Sequence, residues 1–340
     1  MWTVNRTLLA AGLVMSAAAG LSQTPSRPAI AFVSTRHNPD ADPAVEQTWL
    51  GTEIYVMDDD GANVRRVTNN GDADAFPSLS PDGTRIVFDS NRRRAQGGPF
   101  NVSDLFVMSA DGSDQAFLVR GSSATWSPDG KQIAFHASAS GTGLPIKRDP
   151  GAATADSDVF TLIVADALKG AAKPRNLTNS AGAIDDDADW SPDGSAILFT
   201  SHAATDDPQN SSTAEILAVR ADGSGPPNRL TNNTEEERGP TFSPDGRRIA
   251  YSCRKGGPDF EICVMNADGT GQRVLTENTV PDLTPSWSPD GRKIVFHRRV
   301  GDRAQFQLFV INDDGTGEKQ LTFPPGLNAF ADWGLWRRRP

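Results

Sequence analysis

Carboxylates occupy one place in a recurring pattern. Asp74, Asp185, Glu237 and Asp282 each stand five residues ahead of Leu79, Trp190, Phe242 or Trp287, and each of those opens a Ser-Pro-Asp-Gly stretch. Asp186 and Asp187 thicken the group in one copy, and Gly121 and Asn328 take the place in two others. Carboxylates forced together make a costly field unless something offsets it. Their chemistry would be capture of a divalent cation or of a basic loop from a partner. A second pattern is basic: Arg36, Arg92-Arg93-Arg94, Arg254-Lys255 and Arg298-Arg299, with Lys147-Arg148 in a long loop. Arg92, Arg254 and Arg298 are the anion-facing candidates. The plainer expectation is mutual neutralisation, with these arginines paired to the first group or to Glu53, Asp104, Asp158, Glu215 and Glu261. Exposed pairs of that kind contribute only about 0–1 kcal/mol each.

The elements that position these charges repeat along the chain. The turn begins after Leu79, Trp126, Trp190, Phe242 and Trp287. Proline presets φ at the second turn position, aspartate bonds nearby backbone, and glycine accepts positive φ at the end. An alternating strand follows, such as Ile86-Val87-Phe88 or Ile294-Val295-Phe296, with the period of a half-buried strand. These two strands, A and B, make a hairpin. Strand C, as in Asp104-Leu-Phe-Val-Met108, ends in an Asp-Gly turn and leads to strand D, which closes on Leu-Thr, as at Leu275-Thr276. The copy at Asp166 departs, with Ala167-Leu-Lys-Gly170 after it.

Four short antiparallel strands per repeat describe a propeller blade. Residues from Ile30 to Thr68 supply B, C and D without A, and Ala331-Asp332-Trp333 is an orphan A strand matching Ala188-Asp189-Trp190. The expected fold is all-β, a six-bladed β-propeller of four-stranded antiparallel blades. Pairing the C-terminal A strand with N-terminal strands B–D would close it and protect the sheet edges.

Residues 1–22 read as a secretory signal, with Arg6 as positive flank and Leu8 to Ala19 as apolar core. Residues 23–28 follow as a linker, 29–336 as the propeller and 337–340 as a tail. No other segment suits a bilayer span. A formal charge of −10 argues against nucleic acid as partner. Export permits a disulfide between Cys253 and Cys263 on strands B and C of one blade; two small buried thiols are the alternative. Both tight turns fall at one end of each blade. The variable B–C loops, including Arg36 to Thr52, Asn91 to Ser103, Ala139 to Ser157 and His202 to Thr213, fall at the other. Function is therefore expected on the B–C/D–A face, with the acids at the channel mouth.

The combined series Trp-Ser-Pro-Asp-Gly, Ile-x-Phe, Ile-Tyr-Val-Met, Asp-Gly and Leu-Thr, over about residues 29–336, resembles the TolB-like β-propeller family. The resemblance implies a periplasmic propeller that meets a cell-envelope protein at its channel face. TolB itself has an α/β domain ahead of the propeller. Here the first strand is expected at about Ile30, leaving too few residues for that domain.

Two functions follow. The favoured one is an exported, monomeric, non-catalytic scaffold for an envelope protein. The other is a polysaccharide-acting or metal-dependent lyase or hydrolase on the same face. There is no Gly-x-Ser-x-Gly elbow. His136 and His297 follow B-strand aromatics and read as strand-surface residues; His37 and His202 fall in or beside loops. The tryptophans before each turn read as inter-blade core.

Overall fold

A computed structural model describes residues 27–37, 51–93, 103–138, 157–203, 214–301 and 305–337. The signal segment, Arg94, Lys147, Arg148 and most of the long B–C loops lie outside the described residues. The strands run in chain order as β1 (Arg27–Ser34), β2 (Glu53–Asp58) and β3 (Arg65–Arg66); then β4 (Asp74–Leu79), β5 (Arg85–Ser90), β6 (Asp104–Ser109) and β7 (Ala116–Arg120). Next come β8 (Ser122–Trp126), β9 (Gln132–Ser138), β10 (Ser157–Ile163), the one-turn helix α1 (Val164–Ala167) and β11 (Arg175–Asn176). They are followed by β12 (Ala183–Trp190), β13 (Ala196–Ala203), β14 (Glu215–Arg220) and β15 (Asn228–Arg229), then β16 (Glu237–Phe242), β17 (Arg248–Cys253), β18 (Glu261–Asn266) and β19 (Arg273–Val274). The last are β20 (Asp282–Trp287), β21 (Lys293–Val300), β22 (Gln305–Asn312), β23 (Lys319–Gln320) and β24 (Asn328–Trp336). Helix α1 stands where the sequence departs from the Asp-Gly turn, so the chain is all-β with almost no helix.

Four sheets have four strands each: β4-β5-β6-β7, β16-β17-β18-β19, β20-β21-β22-β23, and β24-β1-β2-β3. An eight-stranded sheet joins β8-β9-β10-β11 to β12-β13-β14-β15 through one parallel pair, Ser157 opposite Ile184. The orphan A strand is thus β24, antiparallel to β1 with Trp333 opposite Ile30. Arg27 and Pro28, placed in the linker by sequence, are the first residues of β1, because Trp336 and Leu335 extend far enough to pair with them. The first strands of consecutive four-strand groups touch in sequence: β4 with β8, β8 with β12, β12 with β16, β16 with β20, β20 with β24, and β24 with β4.

The Ser-Pro-Asp-Gly turns form as their residues dictate. Gly83 N donates to Ser80 O at 2.8 Å, Ser80 Oγ donates to Asp82 Oδ1 at 2.7 Å, and Gly83 sits at φ 69°. At the other end, the threonine of Leu-Thr caps strand C, as where Thr276 Oγ1 accepts from Ile262 N at 2.9 Å.

The core lies in slabs between consecutive sheets. Ile86, Val87 and Phe88 are all fully buried, as are Ile294, Val295 and Phe296. The B strands are therefore buried on both faces rather than half-buried. Each sheet is packed front and back, so the residue between the large apolar pair also loses its solvent. Each such large apolar side chain contributes roughly 1.5–3 kcal/mol. Trp126, Trp190, Trp287 and Trp333 are buried in these slabs, as expected for inter-blade core.

Candidate functional site

The strand that begins each four-strand group carries a β-bulge. In β4 the register passes from Ala75↔Asp89 to Ser78↔Val87, so Phe76 and Pro77 share the space opposite one residue. The same irregularity recurs in β8, β12, β16, β20 and β24. Phe76, Ser123, Asp187, Thr284 and Phe330 take positive φ there, between 47° and 52°, and Gly239 takes 58°. Such a φ is costly for a bulky or β-branched residue and marks a position held by its surroundings.

The bulge decides where the sequence-predicted acids go. Five residues is an odd step, which in an unbroken strand would set Asp74 and Leu79 on opposite faces. The extra residue restores them to the same face, Asp74 opposite Ser90 and Leu79 opposite Ile86. Asp74, Asp185, Glu237 and Asp282 are consequently at most 1% exposed. A central cavity of about 150 Å³ is instead lined by residues 76–78, 123–125, 187–189, 239–241, 284–286 and 330–332. Of the six acids expected to ring the mouth, Asp187 lines it.

The buried acids have partners within the fold. Arg92 Nη2 donates to Asp74 Oδ2 at 2.9 Å, and Asn70 Nδ2 does so at 2.6 Å. Arg298 grips Asp282 through Nε and Nη2 at 2.6 and 2.8 Å. Ser201 Oγ donates to Asp185 at 2.6 Å, and Asn233 Nδ2 to Glu237 at 2.6 Å. Arg254 turns elsewhere, to Glu236 at 3.1 Å and over Phe260. Burial pushes the Asp74 carboxyl up against the pull of Arg92, and raises Asp185. Glu237 is pushed up to about 7 by burial, with Glu215 close by adding to the rise. Asp186 and Asp187 are both raised, chiefly by burial; Asp187 adds to the rise at Asp186, and Arg238 opposes it at both.

Sequence reasoning missed the groups that face the cavity beside Asp187. Asp189 and Asp332 lie at equivalent places on β12 and β24, which their shared Ala-Asp-Trp triplets could have revealed. Each reaches the next sheet: Phe242 N donates to Asp189 Oδ2 at 2.8 Å, and Leu79 N to Asp332 Oδ2 at 2.7 Å. Burial raises them to about 7 and about 6. Phe76 and Phe330 meet with ring centroids 4.3 Å apart. His297 packs edge-on against Phe330 and bonds Thr284 Oγ1 at 2.7 Å. It is 2% exposed, which corrects its reading as a strand-surface residue. Phe306 covers its other side, and burial lowers its pKa to about 3.

Cys253 and Cys263 are joined as a disulfide, with Cα atoms 5.9 Å apart. They are diagonal neighbours: Cys253 lies opposite Glu261, and Cys263 opposite Tyr251. Among the described residues no group of three or more His, Cys, Asp or Glu side chains is placed to hold a metal ion. Nor is any described helix long and apolar enough to cross a membrane.

Comparison with known proteins places this geometry. The chain is similar in structure to TolB from Acinetobacter baumannii, with a TM-score of 0.68 and 21% identity over 90% of this chain and 66% of that one. It is also similar to a putative TolB from Agrobacterium tumefaciens, with a TM-score of 0.60 and 17% identity, covering 93% and 100%. Hydrazine synthase from Kuenenia stuttgartiensis matches with a TM-score of 0.65 and 16% identity, over 92% of this chain and 47% of that one. At these identities the likeness is one of fold. The chain therefore spans just under two thirds of the Acinetobacter protein. No curated protein sequence matches it. Residues 151–337, more than half of the chain, match the family described as the TolB beta propeller domain, and the chain belongs to that family.

Proposed function

We propose that this protein is an exported, non-catalytic scaffold: six four-stranded blades closed into a ring, whose channel mouth docks a protein of the cell envelope. The pairing of β24 with β1 and the unbroken succession of contacts among the first strands support six blades and closure. The apolar leader at residues 1–22 and the Cys253–Cys263 disulfide support export to an oxidising compartment.

The observation that carries the docking reading is the two-sided lining of the central cavity. Phe76 and Phe330 form an aromatic wall, and Asp187 comes from β12, two strands from β4 and three from β24 around the succession. Aromatic anchors beside a fixed charge are what an interface uses to gain both energy and register. The partner segment would carry an apolar side chain for the phenylalanines and a basic one for Asp187. A cross-linked pull-down from envelope extract tests this, with mature protein beside a Phe76→Ala/Phe330→Ala/Asp187→Asn variant. A protein captured by the first and lost by the second supports the reading; equal capture by both removes the site from the mouth.

A second reading, an enzyme acting on acidic polysaccharide, draws on Asp186 and Asp187, whose raised carboxyls near Arg238 would suit proton transfer. Turnover of polyuronides that disappears in Asp187→Asn would favour it.

A further inference from the structure

Two arginines fasten neighbouring blades at the end away from the mouth. Arg85, first in β5, lays its guanidinium over Trp126 of the next blade, 4.5 Å from the ring centroid, and donates Nη2 to Gly130 O at 2.9 Å. Arg248, first in β17, lies over Trp287 at 4.8 Å and donates to Gly291 O at 3.2 Å. Each guanidinium fills the space between an indole and the glycine of the following Ser-Pro-Asp-Gly turn.

The corresponding residue of β9 is Gln132. Ser127 N donates to Gln132 O just as Ser80 N donates to Arg85 O and Ser243 N to Arg248 O, so the backbone sets the equivalence. The indole and glycine it should reach are Trp190 and Gly194. No guanidinium enters from this strand, and a cavity of about 440 Å³ opens, with Gln132, Trp190 and Gly194 in its lining. Lys173 and Arg175 complete one wall. Lys173 lies in the longer connection that follows α1, and Arg175 comes from β11, opposite Thr161 as Arg273 of β19 is opposite Val264. Arg175 is held in place by its bond to Asp222 O. The volume suits a small molecule.

We propose that this cavity binds a small anionic ligand with a flat face. The flat face stacks on Trp190 in the place that a guanidinium takes over Trp126 and Trp287. A donor on the ligand bonds Gly194 O, and its acidic group pairs with Lys173 and Arg175. Uronic-acid saccharides and nucleoside monophosphates share this chemistry. The site is separate from the channel mouth and does not depend on the scaffold reading.

Calorimetric titration of the full chain with a hexuronate disaccharide in one arm and a nucleoside monophosphate in the other tests the proposal. Saturable binding in either arm is expected, and the arm that responds identifies the source. Gln132→Arg restores the guanidinium seen over Trp126 and Trp287 and should weaken that binding at least tenfold. Lys173→Ala/Arg175→Ala alters two exposed residues and should weaken it about as much, with an unchanged thermal midpoint. Absence of binding in both arms overturns the proposal, and so does binding that survives both variants.

Discussion

Arg298 meets Asp282 through two hydrogen bonds, Nε to Oδ1 at 2.6 Å and Nη2 to Oδ2 at 2.8 Å, with the carboxylate fully withdrawn from solvent. The same guanidinium also holds Glu318, 2.6 Å from Nη1. Removing one partner would strand a buried charge. Arg298→Ala should lower stability by about 3–5 kcal/mol. Denaturant unfolding of the variant beside wild type measures this; a loss under 1 kcal/mol would show that the pair is solvated in solution.

The left-handed bulge residues offer a test of stored strain. Ser123 sits at φ 51°, a position that Gly239 fills in another blade. Ser123→Gly should leave stability unchanged or raise it by about 1 kcal/mol. Ser123→Ile should lower it by more than that, since a β-branched residue tolerates this φ poorly. In thermal unfolding the midpoint of Ser123→Ile should fall and that of Ser123→Gly should not.

The raised carboxyls give stability a pH dependence. Glu237 stands at about 7 in the fold against an ordinary value of 4.5, because burial and Glu215 disfavour its charge. Its protonated form contributes stability that is fully present below about 4.5 and is lost as pH rises through about 7. Asp189 and Asp332 act in the same direction. Glu237→Gln should therefore gain on wild type in thermal midpoint between pH 5 and pH 8. A constant difference across that range would mean that Glu237 is ionised throughout.

The disulfide closes a short loop, with the cysteines 10 residues apart. Cys253→Ser/Cys263→Ser should lower stability by about 2–3 kcal/mol, by the loop-entropy argument. Intact mass under non-reducing conditions should rise by about two hydrogens after reduction; an unchanged mass would mean two free thiols.

Local chemistry alone specified much of this protein. Proline, aspartate and glycine in Ser-Pro-Asp-Gly set the turns through their own backbone preferences, and the alternation around Ile86 and Phe88 set the strands. The match of Ala331-Asp332-Trp333 to Ala188-Asp189-Trp190 foretold that the last strand pairs with the first. The candidate site was less legible. Counting five residues back from Trp190 or Trp287 identifies an acid but not its face, because the bulge at Asp187 or Thr284 is set by neighbouring sheets and not by residue type. Four different residue types with side chains, besides glycine, would otherwise not share one left-handed φ. The carboxylates of Asp74 and Asp282 turned inward for that reason, while Asp189, Asp332, Phe76 and Phe330 came to the cavity. Gln132 shows the same limit. Its meaning lies only in the indole that a different blade, 58 residues further along at Trp190, brings beside it.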